Sequence, residues 1–125
     1  MTIALWCLAI AAVLPILCTS IAKGGSMAKY DNTAPRDWLA RLSGYQARAN
    51  AAQQNSWEAL GVFSAGILAA HFAHAPQIRV DQIAEAFIVA RLVYIGCYLG
   101  NFASLRSVVW FIGFGLSLAL FFVAA

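Results

Sequence analysis

Charge is what this chain has least of. Of 125 residues only eight are Lys or Arg and five are Asp or Glu, while 62% are hydrophobic and the mean hydropathy is +0.76. A domain this small leaves much of its surface exposed even when folded, so a water-soluble globule cannot hide so much apolar surface. Its solvent must be lipid. Cysteine is sparse as well: Cys7, Cys18 and Cys97 are odd in number and all lie in apolar stretches. They read as small buried hydrophobes, without a disulfide framework or zinc spacing. His71 and His74 are two potential ligands without a third, so no metal site is expected. Short segments of alternating polarity, the mark of a membrane barrel, are missing, as are a phosphate loop, a dinucleotide fingerprint and a Ser/His/Asp constellation. The net charge of +3 needs no nucleic-acid partner, because membrane topology and anionic headgroups account for it.

What is present is a set of long apolar runs. A membrane span needs about 20 mostly apolar residues. Residues 2–22, 57–75, 82–102 and 105–124 offer four such runs, the second with a polar lead-in that extends its helix to 45–75. The reading is an all-α integral membrane protein, a single domain over 1–125 built as an up-down four-transmembrane-helix bundle. Pro15 interrupts the first run, which a membrane helix tolerates when neighbours satisfy the freed carbonyl. No basic residue precedes Lys23, which argues against a cleaved signal peptide.

The polar loop at 23–42 carries breakers at Gly24, Gly25 and Ser26 and turn chemistry from Tyr30 to Pro35, after which helix should resume at Arg36. Lys23, Lys29, Arg36, Arg41 and Arg48 lie in or beside it, against Arg79 alone near Pro76. The bias of basic residues places this loop in the cytoplasm and both termini on the other side. Trp6, Trp38, Trp57 and Trp110 read as interfacial anchors or lipid contacts, and Gly61, Gly66, Gly113 and Gly115 as sites of close helix approach.

Two helices carry polar residues into the apolar zone. At about 100° per residue, Arg41, Arg48, Asn55 and Glu58 share one side of the second helix. On the third, Arg91, Tyr94, Tyr98 and Asn101 form a stripe at spacings of three, four and three. With Arg106 at the start of the fourth helix, the stripes converge on the cytoplasmic leaflet. A charged side chain at the bilayer centre costs about 2.5 to 3.5 kcal/mol on insertion scales, so Arg91 should be paired inside the bundle. Glu58 is the first choice for a structural ion pair with it and Glu85 the second.

The order Tyr30-Asp31-Asn32, Pro35-Arg36, Arg48-Ala49-Asn50-Ala51-Ala52-Gln53 with Asn55 and Glu58, Ala90-Arg91 with Tyr94 and Tyr98, and Arg106 resembles the membrane-associated proteins in eicosanoid and glutathione metabolism (MAPEG), most closely small bacterial members. The resemblance runs from the first helix to the fourth. It implies a homotrimer in the bacterial inner (plasma) membrane, with glutathione as co-substrate between neighbouring subunits near the cytoplasmic face. Glutathione-binding residues would be Arg48, Asn55, Glu58, Tyr94 and Tyr98. Catalysis would rest on Arg106, facing the thiol, and Tyr94.

The chain departs from that pattern at two places: glutathione-using members carry an arginine where it has Ala51, and a proline where it has Gly61. Losing a carboxylate-binding guanidinium costs about 1.5 to 3 kcal/mol, and Arg48, one turn earlier, is placed to compensate. Two functions therefore remain. One is a glutathione-dependent transferase or peroxidase acting on lipophilic small molecules that arrive through membrane lipid. The other is a non-catalytic protein of the same fold that binds a lipid or a partner. The orientation is tested by a single cysteine placed at Ser26 in an otherwise Cys-free variant. It should resist an impermeant thiol reagent on intact cells and react after the cells are opened.

Overall fold

The computed structural model describes residues 1–24 and 29–125. The expected breakers Gly25 and Ser26 lie outside the described residues. Five helices follow one another: α1 (Ile3–Gly24), α2 (Pro35–Ala40), α3 (Gly44–Phe72), α4 (Gln77–Leu99) and α5 (Ala103–Ala124). Among the described residues no strand occurs.

The helix expected to resume at Arg36 is two helices. Pro35 starts α2, where its fixed φ suits a first helical turn, but the helix stops after one short stretch and Gly44, at φ +61°, restarts the chain as α3. Arg41 is therefore not part of the α3 stripe. The loop packs on itself: the Tyr30 and Trp38 rings meet edge to face at 5.0 Å, the Trp38 indole donates to the Lys29 carbonyl at 3.0 Å, and Lys23 donates to the Tyr30 hydroxyl at 2.8 Å. The Thr33 hydroxyl and N–H both donate to the Asp31 carboxylate and hold its pKa below the usual carboxylate value. A depressed carboxyl favours this turn above the unfolded pKa and releases it as pH falls through the folded one.

Three helices, α1, α4 and α5, are long and apolar enough to cross a membrane by length and composition. The exception is α3. Its 29 residues span about 44 Å at the helical rise, ample for the expected second crossing, but its first half is too polar for it to be counted with the others. Those polar residues have work at helix ends. The Gln46 amide donates to the Ala22 carbonyl at 3.0 Å, and the Arg48 guanidinium donates to the Leu99 carbonyl at 3.1 and 3.3 Å. These carbonyls lie in the last turns of α1 and α4, where helix geometry leaves carbonyls short of intrahelical donors. At the opposite end the Asp81 carboxylate accepts from the Ala4 N–H at 2.8 Å, a negative group at the positive end of α1. Both α3 and α4 end on a left-handed residue, His74 (φ 54°) and Asn101 (φ 62°). Asn101 is thus the stop signal of α4 rather than the last member of its stripe.

The four long helices form a bundle in which α1 lies on α3, α4 on α5, and α3 crosses to both α4 and α5. Near the Pro76 end the core holds Phe63, Ile67, Phe87 and Leu120, with Phe63 and Phe87 stacked at 3.9 Å. Near the Gly100 end it holds Leu14, Cys18, Ala52, Tyr94, Ile95 and Val109. All three cysteines are buried and free. Outside, the surface is apolar: Trp6, Ile10 and Val13 on α1, Val89 and Leu92 on α4, and Phe111, Ile112 and Phe122 on α5 are exposed. Such a continuous apolar exterior belongs in lipid or against another protein.

Of the glycines expected at close approaches, Gly66 alone requires one. A Cβ there would stand 2.9 Å from the Ser117 carbonyl and 3.0 Å from the Leu120 Cβ, whereas Gly113 has ordinary room and Gly61 and Gly115 face open space. Gly66→Val should therefore force α3 and α5 apart at about 1 to 3 kcal/mol, lowering the melting temperature in detergent, while Gly61→Ala should leave it close to wild type.

Candidate functional site

The site is built outward from Arg91. Placed on the inner face of α4, it is only 4% exposed. Its Nη1 donates to Asn55 Oδ1 at 2.9 Å and its Nη2 to Ser56 Oγ at 3.1 Å, both on α3. The Ser56 hydroxyl donates to the Ala52 carbonyl at 2.7 Å, and the Asn55 amide donates to Glu58 Oε2 at 3.3 Å. Glu58 and Arg91 are thus joined through Asn55 and not in the direct ion pair expected. Glu58 lies almost a full turn beyond Asn55 on the exposed side of α3, so the neutral amide occupies the position between the charges. Glu85 is exposed and takes no part in these bonds.

From Arg91 a second line of contacts runs toward the Gly100 end. The guanidinium lies over the Tyr94 ring at 4.3 Å, Tyr94 meets Tyr98 edge to face at 5.7 Å, and the Arg106 guanidinium lies over the Tyr98 ring at 4.3 Å. The two tyrosines, one turn apart on α4, are therefore held between a buried cation and a half-exposed one. Cation over ring face contributes about 0.5 to 2 kcal/mol, more as water is excluded.

Two cavities adjoin this line. One of about 110 Å³ is bordered by Asn55, Glu58 and Arg91 at its polar side and by Val62, Phe87 and Phe114 at its apolar side. The other, of about 130 Å³, lies between Tyr94, Arg106, Ser107, Trp110 and Phe111. Asn55, Glu58, Arg91, Tyr94, Tyr98 and Arg106 are thus linked by successive contacts or shared cavities. Arg48 is not: its guanidinium holds the end of α4. Among the described residues no group of three or more His, Cys, Asp or Glu could hold a metal ion.

Chemically, the arrangement offers a guanidinium and two phenols that favour an anion, beside a carboxylate and amide that suit ammonium and peptide groups. Sequence reasoning passed over two residues here. Ser56, 3% exposed, is an acceptor for Arg91, and its signal was its position beside Asn55 facing an arginine that had to be satisfied. Trp110, read as an interfacial anchor, is half-buried, stacks on Phe114 at 5.3 Å and borders both cavities.

The family model of the MAPEG family matches this chain over residues 3–125. The chain belongs to the MAPEG family. No curated protein and no solved structure matches it. As a MAPEG protein with apolar helices and an apolar exterior, it is an integral membrane protein of the group named for glutathione and eicosanoid metabolism.

The geometry separates the two site arginines of this MAPEG protein. Arg91→Ala removes two charge-assisted bonds worth about 1.5 to 3 kcal/mol each and takes the donor from the Asn55 and Ser56 side-chain oxygens, so the melting temperature should fall sharply. Arg106→Ala removes a half-exposed side chain from one ring face and should leave the melting temperature nearly unchanged. Thermal denaturation of both variants in the same detergent checks the assignment.

Proposed function

We propose that this protein is a glutathione-dependent transferase or peroxidase acting on lipophilic electrophiles delivered through the bilayer. The observation that carries the reading is Arg106, set over Tyr98 and bordering a cavity that also contains Tyr94 and an apolar wall. A thiol with an ordinary pKa of about 8.5 is mostly protonated at neutral pH, and a nearby guanidinium favours the nucleophilic thiolate. In this scheme Arg106 holds the thiolate and Tyr94 supports it with its hydroxyl. The sulfur then bonds to the electrophilic centre, and the leaving group departs with its bonding electron pair. Asn55 and Glu58 take the amide and ammonium parts of the tripeptide, and Tyr98 lines the site.

The same proposal takes α3 as a fourth crossing and the assembly as a homotrimer in a bacterial inner membrane, with the loop at 23–42 in the cytoplasm. A polar half-helix is accommodated in a membrane when it faces protein or a water-lined site. The exposed positions Gln54, Glu58 and Gly61 on α3 suit contact with a neighbouring subunit.

One observation favours the second reading, a binding protein without catalysis. Ala51 stands where a carboxylate-binding arginine is expected, and the guanidinium placed to compensate, Arg48, is engaged by the Leu99 carbonyl. Titration of purified protein with glutathione separates the two. Binding with thiolate absorbance in the ultraviolet, lost in Arg106→Ala, is the expected outcome. Absence of binding to protein of trimeric mass supports the non-catalytic reading instead.

A further inference from the structure

A cavity of about 270 Å³ lies at the Pro76 end of the bundle, where α1 and α4 begin and α3 ends. Among the described residues that border it, none is given to glutathione. His71 stands 16 residues beyond Asn55 on α3, about 24 Å at the helical rise, so this cavity and the site around Arg91 are well separated. We propose that the cavity binds a single-chain amphiphile with an anionic head, its alkyl chain on the apolar floor and its head held by the His71 and His74 imidazoles. The proposal goes beyond the transferase reading and does not depend on it.

The lining is sorted by polarity. Ala4, Ile67, Ala70 and Val80, each 4% exposed or less, form the floor, while Thr2, His71 and His74 form a more exposed rim. An apolar cavity of about 150 Å³ holds one benzene ring, so about 270 Å³ has room for an alkyl segment of several carbons. Both α1 and α4 are long and apolar enough to cross a membrane, and the cavity lies against their first turns. It is therefore at the level where an amphiphile keeps its chain in lipid and its head in water. Phe72 and Ile78, next in sequence to bordering residues, are 77% and 74% exposed and give the mouth an apolar surround.

The rim donates hydrogen bonds and does not repel an anion. An imidazole carries an N–H whether neutral or charged, and Thr2, whose oxygen accepts the Leu5 N–H at 3.2 Å, keeps its hydroxyl proton for a ligand. Among the described residues no carboxylate borders the cavity. Asp81 joins the starts of α1 and α4 instead, one oxygen accepting from the Ala4 N–H and the Gln77 amide, both at 2.8 Å. Two imidazoles without a third ligand do not make a metal centre, which leaves them as donors. His74 adds a separate sign. It follows α3 at φ 54°, where the Ala75 N–H closes onto the Ala70 carbonyl at 3.0 Å, a left-handed position that glycine fills most easily. The chain places an imidazole there, beside the cavity.

The test uses untagged protein in dodecyl maltoside, labelled with ring-13C histidine. His71 and His74 are the chain's two histidines, so both ring signals report this cavity. Octanoate is the probe, titrated at constant pH. Both signals are expected to shift saturably at one octanoate per chain, with acetate about tenfold weaker or more and octyltrimethylammonium giving no saturable shift. Saturation by the ammonium compound at the same concentration overturns the anionic head, and equal affinity for acetate overturns the chain. His74→Gly removes one imidazole at a position that suits glycine, so the melting temperature should hold or rise while octanoate affinity, read from His71, falls about tenfold or more. Leu5→Trp, which fills the cavity from α1 and keeps both imidazoles, should abolish the saturable shift. Shifts that rise linearly with octanoate, or an unchanged affinity in both variants, overturn the site.

Discussion

The need to satisfy one buried guanidinium organises this bundle. Arg91 lies in the middle of an apolar helix, where an unpaired charge is among the most expensive groups a membrane protein can hold. Its donors meet two oxygens on α3 and its face meets a ring on its own helix. Those contacts fix the rotation of α3 against α4, and that rotation decides which residues line the cavities. A neutral amide and a hydroxyl do this without a second buried charge, avoiding the desolvation that a direct carboxylate pair would incur.

The polar first half of α3 is the other side of the same constraint. A segment with Gln46, Arg48, Asn55 and Glu58 would be costly in lipid on its own, yet three of these four residues bond backbone or side chains of α1 and α4. Gln46 and Arg48 donate to carbonyls in the last turns of α1 and α4, and Asn55 supports Arg91. The first turns of α3 are polar where its neighbours end, and Asn55 is polar where α4 brings Arg91 against it. This reconciles a chain of very low charge with a polar stripe that enters the bundle.

Fold and site meet in the ladder from Arg91 through Tyr94 and Tyr98 to Arg106. The buried arginine anchors one end of the tyrosine pair, and the half-exposed arginine at the other end is left available to an anion. The first serves packing, and on the proposed function the second serves the chemistry, although both make the same kind of contact with a ring. Burial makes the difference: Arg91 is 4% exposed and engaged by α3, while Arg106, at the start of α5, is half-exposed.

Much was legible from residue order alone. Hydropathy and length placed α1, α4 and α5, because a span needs only a run of apolar residues of sufficient length. The spacing of Arg91, Tyr94 and Tyr98 placed them on one face, because helical periodicity is a local property. The family was legible in the order of short polar motifs from the first helix to the fourth. Other features depended on backbone conformation in the folded chain or on contacts between distant residues. The break between α2 and α3 follows from the backbone at Gly44, and Asn101 ends α4 because its left-handed conformation releases the chain toward α5. That Asn55 and Ser56, not Glu58, receive Arg91 depends on how α3 is rotated, and the capping of α4 by Arg48 depends on the level at which two helices meet. Periodicity assigns a residue to a face; only the packed bundle decides which face it meets, at what height, and which cavity remains between.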